Sequence, residues 1–200
     1  MRLGNDIVDL QAARGEHPRF AARILAPQEA QNFAARGSPP ALLWSYWAAK
    51  EAAYKAYSQL KPTSFSPSLW LVSEEFDTVS FDGEILSLRL KQAEDLIIAT
   101  VTDQPWEHIY QAEAVFFTEP TPGDQKAEAR RLLLGMAASY LGVTGDRLQL
   151  QKTQGIPELM LDGQRLSVSL SHHGRFVAAA LHIPPDLLAH PSGLDTISND

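Results

Sequence analysis

Residues 42–57 read LLWSYWAAKEAAYKAY, and the reading of this stretch governs the rest of the chain. It contains no glycine and no proline. Ser38-Pro39-Pro40 stands before it, a cap residue followed by prolines suited to a first turn, and Pro62 stands after it. The pattern predicts a helix from about Ala41 to Gln59 that stops before Pro62. Trp44, Trp47, Glu51 and Lys55 fall on one helical face; Leu43, Tyr46, Lys50, Ala53 and Tyr57 fall on a neighbouring one. Both faces are aromatic, and each carries charge. A charge on an apolar stripe costs free energy unless it is paired or bound to an ion. On spacing alone, Glu51 and Lys55 also read as an ordinary i,i+4 pair worth only ~0.3–0.5 kcal/mol. Lys50 also reads as a lysine snorkelling past the rings.

On the N-terminal side, residues 3–10 (LGNDIVDL) read as a short strand with an acid set among apolar residues. Asp6 is out of place there unless something compensates its charge, and Asp9 has no side chosen for it by the pattern. One carboxylate from a strand and one from a helix, Asp6 and Glu51, can converge on a cation. Magnesium suits such a pair, because it takes few protein carboxylates and completes its shell with water and phosphate oxygens. Residues 18–36 show helical spacing through Phe20, Ile24, Leu25 and Phe33. Arg14, Arg19, Arg23 and Arg36 in this region face only Glu16 and Glu29, which reads as a solvated helix face or as a patch for an acidic partner.

On the C-terminal side the periodicity changes after Pro67. Ser68–Ser73, Asp77–Phe81, Ile85–Lys91, Leu96–Asp103 and Tyr110–Phe117 read as five strands, with Asp82-Gly83 as a hairpin turn. Residues 118–125 read as a linker. A second unit follows: a helix over Lys126–Leu141 closed by Gly142, then strands at Gln149–Lys152, Glu158–Leu161, Leu166–Leu170 and Phe176–His182. The order predicts an α+β protein of two halves, 1–117 and 126–183, with a poorly ordered tail at 184–200. Ser167-Val168-Ser169-Leu170-Ser171-His172-His173-Gly174 ends an alternating strand in a polar cluster. Hydroxyls, imidazole and backbone N–H groups there suit a phosphate, although a plain turn with solvent-facing histidines reads the same way.

Composition narrows the function further. The chain has 200 residues, a net charge of −7 and no cysteine. Thiolate metal sites and disulfides are thereby excluded, and a reducing cytoplasm is the expected setting. The acidic balance argues against general nucleic-acid binding, and no apolar run is long enough for a membrane span. There is no Gly-x-Ser-x-Gly elbow and no Walker or dinucleotide loop.

Three segments together resemble the 4′-phosphopantetheinyl transferase superfamily. They are Gly4-Asn5-Asp6, Trp47-Ala48-Ala49-Lys50-Glu51-Ala52 with the further Lys55, and Ser169-Leu170-Ser171-His172. Residues 19–25 with Glu29 are similar to the first helix of holo-acyl-carrier-protein synthases, and residues 128–181 to the first half of a surfactin-type transferase, here placed second. The resemblance implies a pseudo-dimer of two α+β halves, each a small antiparallel sheet packed on helices, acting as a monomer. It implies transfer of 4′-phosphopantetheine from coenzyme A to a serine of an apo carrier protein of fatty acid, polyketide or peptide synthesis. The metal, Mg2+, would be held by Asp6 and Glu51. Asp6, Glu51 and Lys55 would be catalytic. Lys50, Lys55, Lys152, Ser171 and His172 would bind coenzyme A, and the Arg14–Arg23 patch would dock the carrier. The family pattern is broken at Val8, where larger members have a second acid that water or Asp9 would replace. It is broken again at Ile156 in Gly155-Ile156-Pro157, where the family has lysine. These departures leave a catalytically silent, carrier-binding homologue as the alternative.

Overall fold

The computed structural model describes residues 1–13 and 18–188. Arg14 and the tail from residue 189 lie outside the described residues. The first half opens with strand β1 (Leu3–Asp9), continues through helices α1 (Pro18–Ile24), α2 (Pro27–Ala35) and α3 (Pro40–Ser58), and ends with β2 (Leu71–Val72), β3 (Thr78–Phe81), β4 (Glu84–Gln92) and β5 (Leu96–Thr102). The second half has β6 (Ile109–Val115), α4 (Pro122–Leu141), β7 (Leu148–Thr153), β8 (Ile156–Leu161), β9 (Gln164–His173) and β10 (Phe176–His182). The sheet orders are β1-β5-β4-β3-β2 and β6-β10-β9-β8-β7, antiparallel throughout. Each half is thus a strand, a helical segment and a four-strand meander whose last strand returns beside the first. The expected α+β pair of similar halves is the architecture observed.

The boundary between the halves differs from the expectation. Residues 109–115 alternate as a strand, but they pair with β10, from Ile109↔His182 to Val115↔Phe176. The crossover is therefore the short stretch 103–108. The expected linker instead supplies the start of α4: Thr121 caps the helix, its hydroxyl accepting from the Asp124 amide while the Asp124 carboxylate accepts from the Thr121 amide, and Pro122 fills the first turn. Residues 18–36 form two helices rather than one, because Pro27 ends the first pattern and begins the second.

The alanines of α3 explain how the first half closes. Ala48, Ala49, Ala52, Ala53 and Ala56 are wholly buried, so the helix lies against β1 and β5 with little side chain between. Trp70, Tyr57 and Phe81 fill the far end of this core, with Trp70 and Phe81 stacked at 4.1 Å. In the second half Leu133, Met136, Ala137 and Leu141 of α4 pack on Leu159, Leu166, Val168, Ala179 and Leu181. A third cluster, Ile7, Leu96, Ile98, Phe176 and Ala178, joins the halves. Among the described residues no helix is long and apolar enough to cross a membrane.

Candidate active site

Strand β1 is the edge of its sheet and is buried along its whole length. Its even residues face α3. Gly4 lies so close to the helix that a Cβ would stand 1.9 Å from the Ala52 carbonyl oxygen, and Asp6 meets Lys55. Its odd residues face the second half: Ile7 enters the joining cluster and Asp9 meets Arg175. The outward backbone groups of this edge find partners off the sheet. Leu3 exchanges two bonds with the Gln59 amide, the Asn5 N–H donates to Ser169 Oγ at 2.9 Å, and the Asp9 N–H donates to His173 Nδ1 at 3.0 Å.

Asp6 and Glu51 converge on one ammonium. Lys55 Nζ donates to Asp6 Oδ1 at 2.7 Å and to the Asn5 carbonyl at 3.2 Å, and it stands 3.5 Å from Glu51 Oε1. Burial pushes the Asp6 carboxyl well above the usual carboxylate range; the Glu51 charge adds to this, and Lys55 only partly opposes it. Burial disfavours the Lys55 charge, yet Asp6 and Glu51 more than offset it and raise the ammonium. Two carboxylates sharing one cation are short of positive charge. This donor set fits a hard divalent ion, with water and phosphate filling the rest of its shell. No group of three or more such ligands is present among the described residues.

Asp9 cannot supply a third. Its carboxylate accepts from Arg175 Nε at 2.9 Å, Arg175 Nη2 at 3.0 Å and the amides of Arg175 and Gln11. Burial alone would raise it, but these donors hold it down to about 2. Asp9 therefore belongs to a clamp between the halves, completed by Arg175 Nη2 on Asp95 at 2.9 Å.

Beside Lys55 opens a cleft of about 710 Å3 walled by both halves. Tyr54, Lys55 and Gln59 of α3 form one side, Lys126 and Arg130 of α4 another, and Lys152, Ile156 and Pro157 of the β7–β8 hairpin a third; Ser169 and His172 of β9 close it. The cleft thus brings together Lys55, Lys152 and His172 from the expected set. The partial desolvation of His172, together with the charges of Lys55, Lys126 and His173, lowers its pKa. Lys126 and Arg130 were missed by sequence reading, although both are cations one turn apart on the Ala129 face of a legible helix.

Two expected cofactor contacts lie elsewhere. Lys50 is wholly buried and does not line the cleft; it is paired with Glu29 and donates to the Ile24 carbonyl at 2.7 Å. Burial lowers its pKa and Glu29 opposes this. Glu29 also accepts from the amides of Ala26 at 2.7 Å and Val72 at 2.9 Å, so this pair ties α1, α2, α3 and β2 together. Ser171 is also buried. Strand alternation sends it to the β1 side of β9, and its hydroxyl has no partner.

The molecule is thus an α+β pair of halves with a cation-lined cleft between them and a two-carboxylate, one-lysine centre at its edge. A family model of the 4′-phosphopantetheinyl transferase superfamily matches residues 2–119. That match covers more than half of the chain, and the chain belongs to this superfamily. No curated protein sequence matches it.

Proposed function

We propose that this protein transfers 4′-phosphopantetheine from coenzyme A to a serine hydroxyl of an apo carrier protein, with magnesium. The observation that carries this reading is the meeting of Asp6, Glu51 and Lys55 at the edge of a cleft lined by Lys126, Arg130, Lys152 and His172. Membership of the superfamily supports it.

Asp6 and Glu51 would hold the divalent ion against the pyrophosphate of coenzyme A. When bound, it supplies charge neutralisation at the phosphoryl oxygens during in-line displacement. Lys55 donates to an oxygen of the transferred phosphoryl group, a place where negative charge builds. Glu51, directly or through one water, takes the proton of the attacking serine hydroxyl. The new bond joins the serine oxygen to phosphorus, and the bond to the adenosine bisphosphate oxygen breaks. Lys126, Arg130, Lys152 and His172 bind the phosphate groups of the departing nucleotide. Arg19 and Arg23 on α1 offer an acidic carrier a surface that steers its approach. The catalytic groups and the cleft come from one chain, so a monomer suffices.

The test is incubation of an apo carrier protein with this protein, magnesium and coenzyme A, read by intact mass. A gain of one phosphopantetheine is expected. It should vanish with Glu51→Gln while the melting temperature stays nearly constant. Carrier binding with no mass gain would identify the silent homologue instead.

A further inference from the structure

Helix α3 and strand β1 touch at Gly4, where a Cβ would stand 2.7 Å from the Ala56 amide nitrogen. The end of the helix is therefore within a side chain's reach of β1. The residue there is Gln59, the C-terminal cap of α3, one turn beyond Lys55 on the same face. Both side chains go to β1. Lys55 takes Asp6 and the Asn5 carbonyl. Gln59 takes both main-chain groups of Leu3: its Oε1 accepts from the Leu3 N–H at 3.1 Å, and its Nε2 donates to the Leu3 carbonyl at 2.7 Å. Nε2 carries two hydrogens, and it also donates to the Val168 carbonyl of β9 at 3.1 Å. β1 and β9 belong to different sheets, so no ladder fixes the distance between them. At this end one neutral amide does so, as acceptor and double donor at once. A carboxylate in its place has no donor, and an ammonium has no acceptor.

The two strands it joins carry different parts of the site. β1 brings Asp6 to Lys55 beside Glu51. β9 brings Ser169 and His172 to the cleft wall that Lys126, Arg130 and Lys152 share. Gln59 is half-buried and lines the cleft with them. We propose that Gln59 is a positioning residue: it sets the distance between the nucleotide wall and the reacting centre, so that one coenzyme A molecule engages both. This inference rests on the reading of the cleft as the coenzyme A site. The nucleotide end of coenzyme A needs only the wall. The phosphorus that reacts lies beyond it and needs the wall and the centre in register. A wall displaced from the centre still holds the nucleotide but presents that phosphorus out of line.

The experiment compares wild type, Gln59→Met and Gln59→Asn by calorimetric titration, in Mg2+, with coenzyme A and with adenosine bisphosphate, which ends before the reacting phosphorus. Gln59→Met keeps the length of the side chain and loses the amide. Gln59→Asn keeps the amide on a stem one carbon shorter, which cannot hold both strands at once. Adenosine bisphosphate should bind all three proteins equally. Coenzyme A should bind both variants about ten- to a hundredfold more weakly than wild type, the worth of one hydrogen bond to a charged group. Their kcat for transfer should fall about tenfold or more. A purely structural Gln59 would lower the melting temperature and leave the ratio of the two affinities as in wild type. That unchanged ratio, in either variant, overturns the proposal; should Gln59→Met fail to fold, Gln59→Asn decides. If wild-type transfer and its loss in Glu51→Gln stand beside an unchanged ratio, only the role of Gln59 fails. If wild type binds neither ligand, the reading of the cleft fails with it.

Discussion

A Cβ on Gly4 would stand 1.9 Å from the Ala52 carbonyl oxygen and 2.7 Å from the Ala56 amide nitrogen, both rigid helix backbone. Nothing there can yield except the contact between β1 and α3, the contact that brings Asp6 to Lys55. Gly4→Ala should therefore cost on the order of 2–3 kcal/mol in denaturant melts and remove transfer, and wild-type behaviour in both would refute this packing argument. Lys50 and Glu51 are neighbours in sequence with opposite fates, one locked in the core on Glu29 and the other at the cleft side of the helix. Lys50→Met leaves the Glu29 carboxylate buried without its cation and should destabilise the fold by about 3–5 kcal/mol. A stable Lys50→Met with a raised KM for coenzyme A would instead return Lys50 to the cofactor. The sequence shows that both helix faces carry a charge. It does not show which charge is structural, because the partner that decides it, Glu29, comes from another helix.

The helices and strands were legible wherever periodicity is local. The boundaries of α3, β3, β4, β5 and β10 fall within a residue or two of their sequence reading. Membership of a sheet is not local: residues 109–115 alternate correctly, yet only the non-local pairing with β10 assigns them to the second half. The same reason hid Lys126 and Arg130. Their chemistry becomes visible only when the α4 face that carries them is laid beside the β7–β8 hairpin. Lys152 pairs directly with Pro157, next to Ile156 and on the same cleft wall. On the proposed reading, it would supply the charge that Ile156 lacks. Lys152→Ala and Lys126→Ala should each raise the KM for coenzyme A by about ten- to a hundredfold and leave kcat nearly unchanged, as loss of a charged hydrogen bond of about 1.5–3 kcal/mol requires. A fall in kcat at constant KM would place these lysines at the reacting phosphorus instead.

The two halves are joined by the Ile7–Phe176 cluster, by Gln59 reaching the Val168 carbonyl at 3.1 Å, and by the Arg175 clamp on Asp9 and Asp95. None of these contacts is readable from spacing, since each joins residues 80 or more positions apart. The clamp has a pH signature. Asp9 sits at about 2 in the fold against an ordinary value of 3.8, so its stabilisation is full above about pH 5 and is lost as the pH falls toward 2. In urea melts, the stability gap between wild type and Arg175→Leu should be constant from pH 5 to 7 and shrink below pH 4. A gap independent of pH would mean that Asp9 is not the partner that matters. All of this scaffolding holds Asp6 and Glu51 to one point beside the cleft, and that convergence is most directly read by 31P spectra of bound coenzyme A with Mn2+ in place of Mg2+. The pyrophosphate signals should broaden strongly in wild type and sharpen again in Asp6→Asn. Equal broadening in both proteins, or none in either, would contradict a shared ion at the two carboxylates.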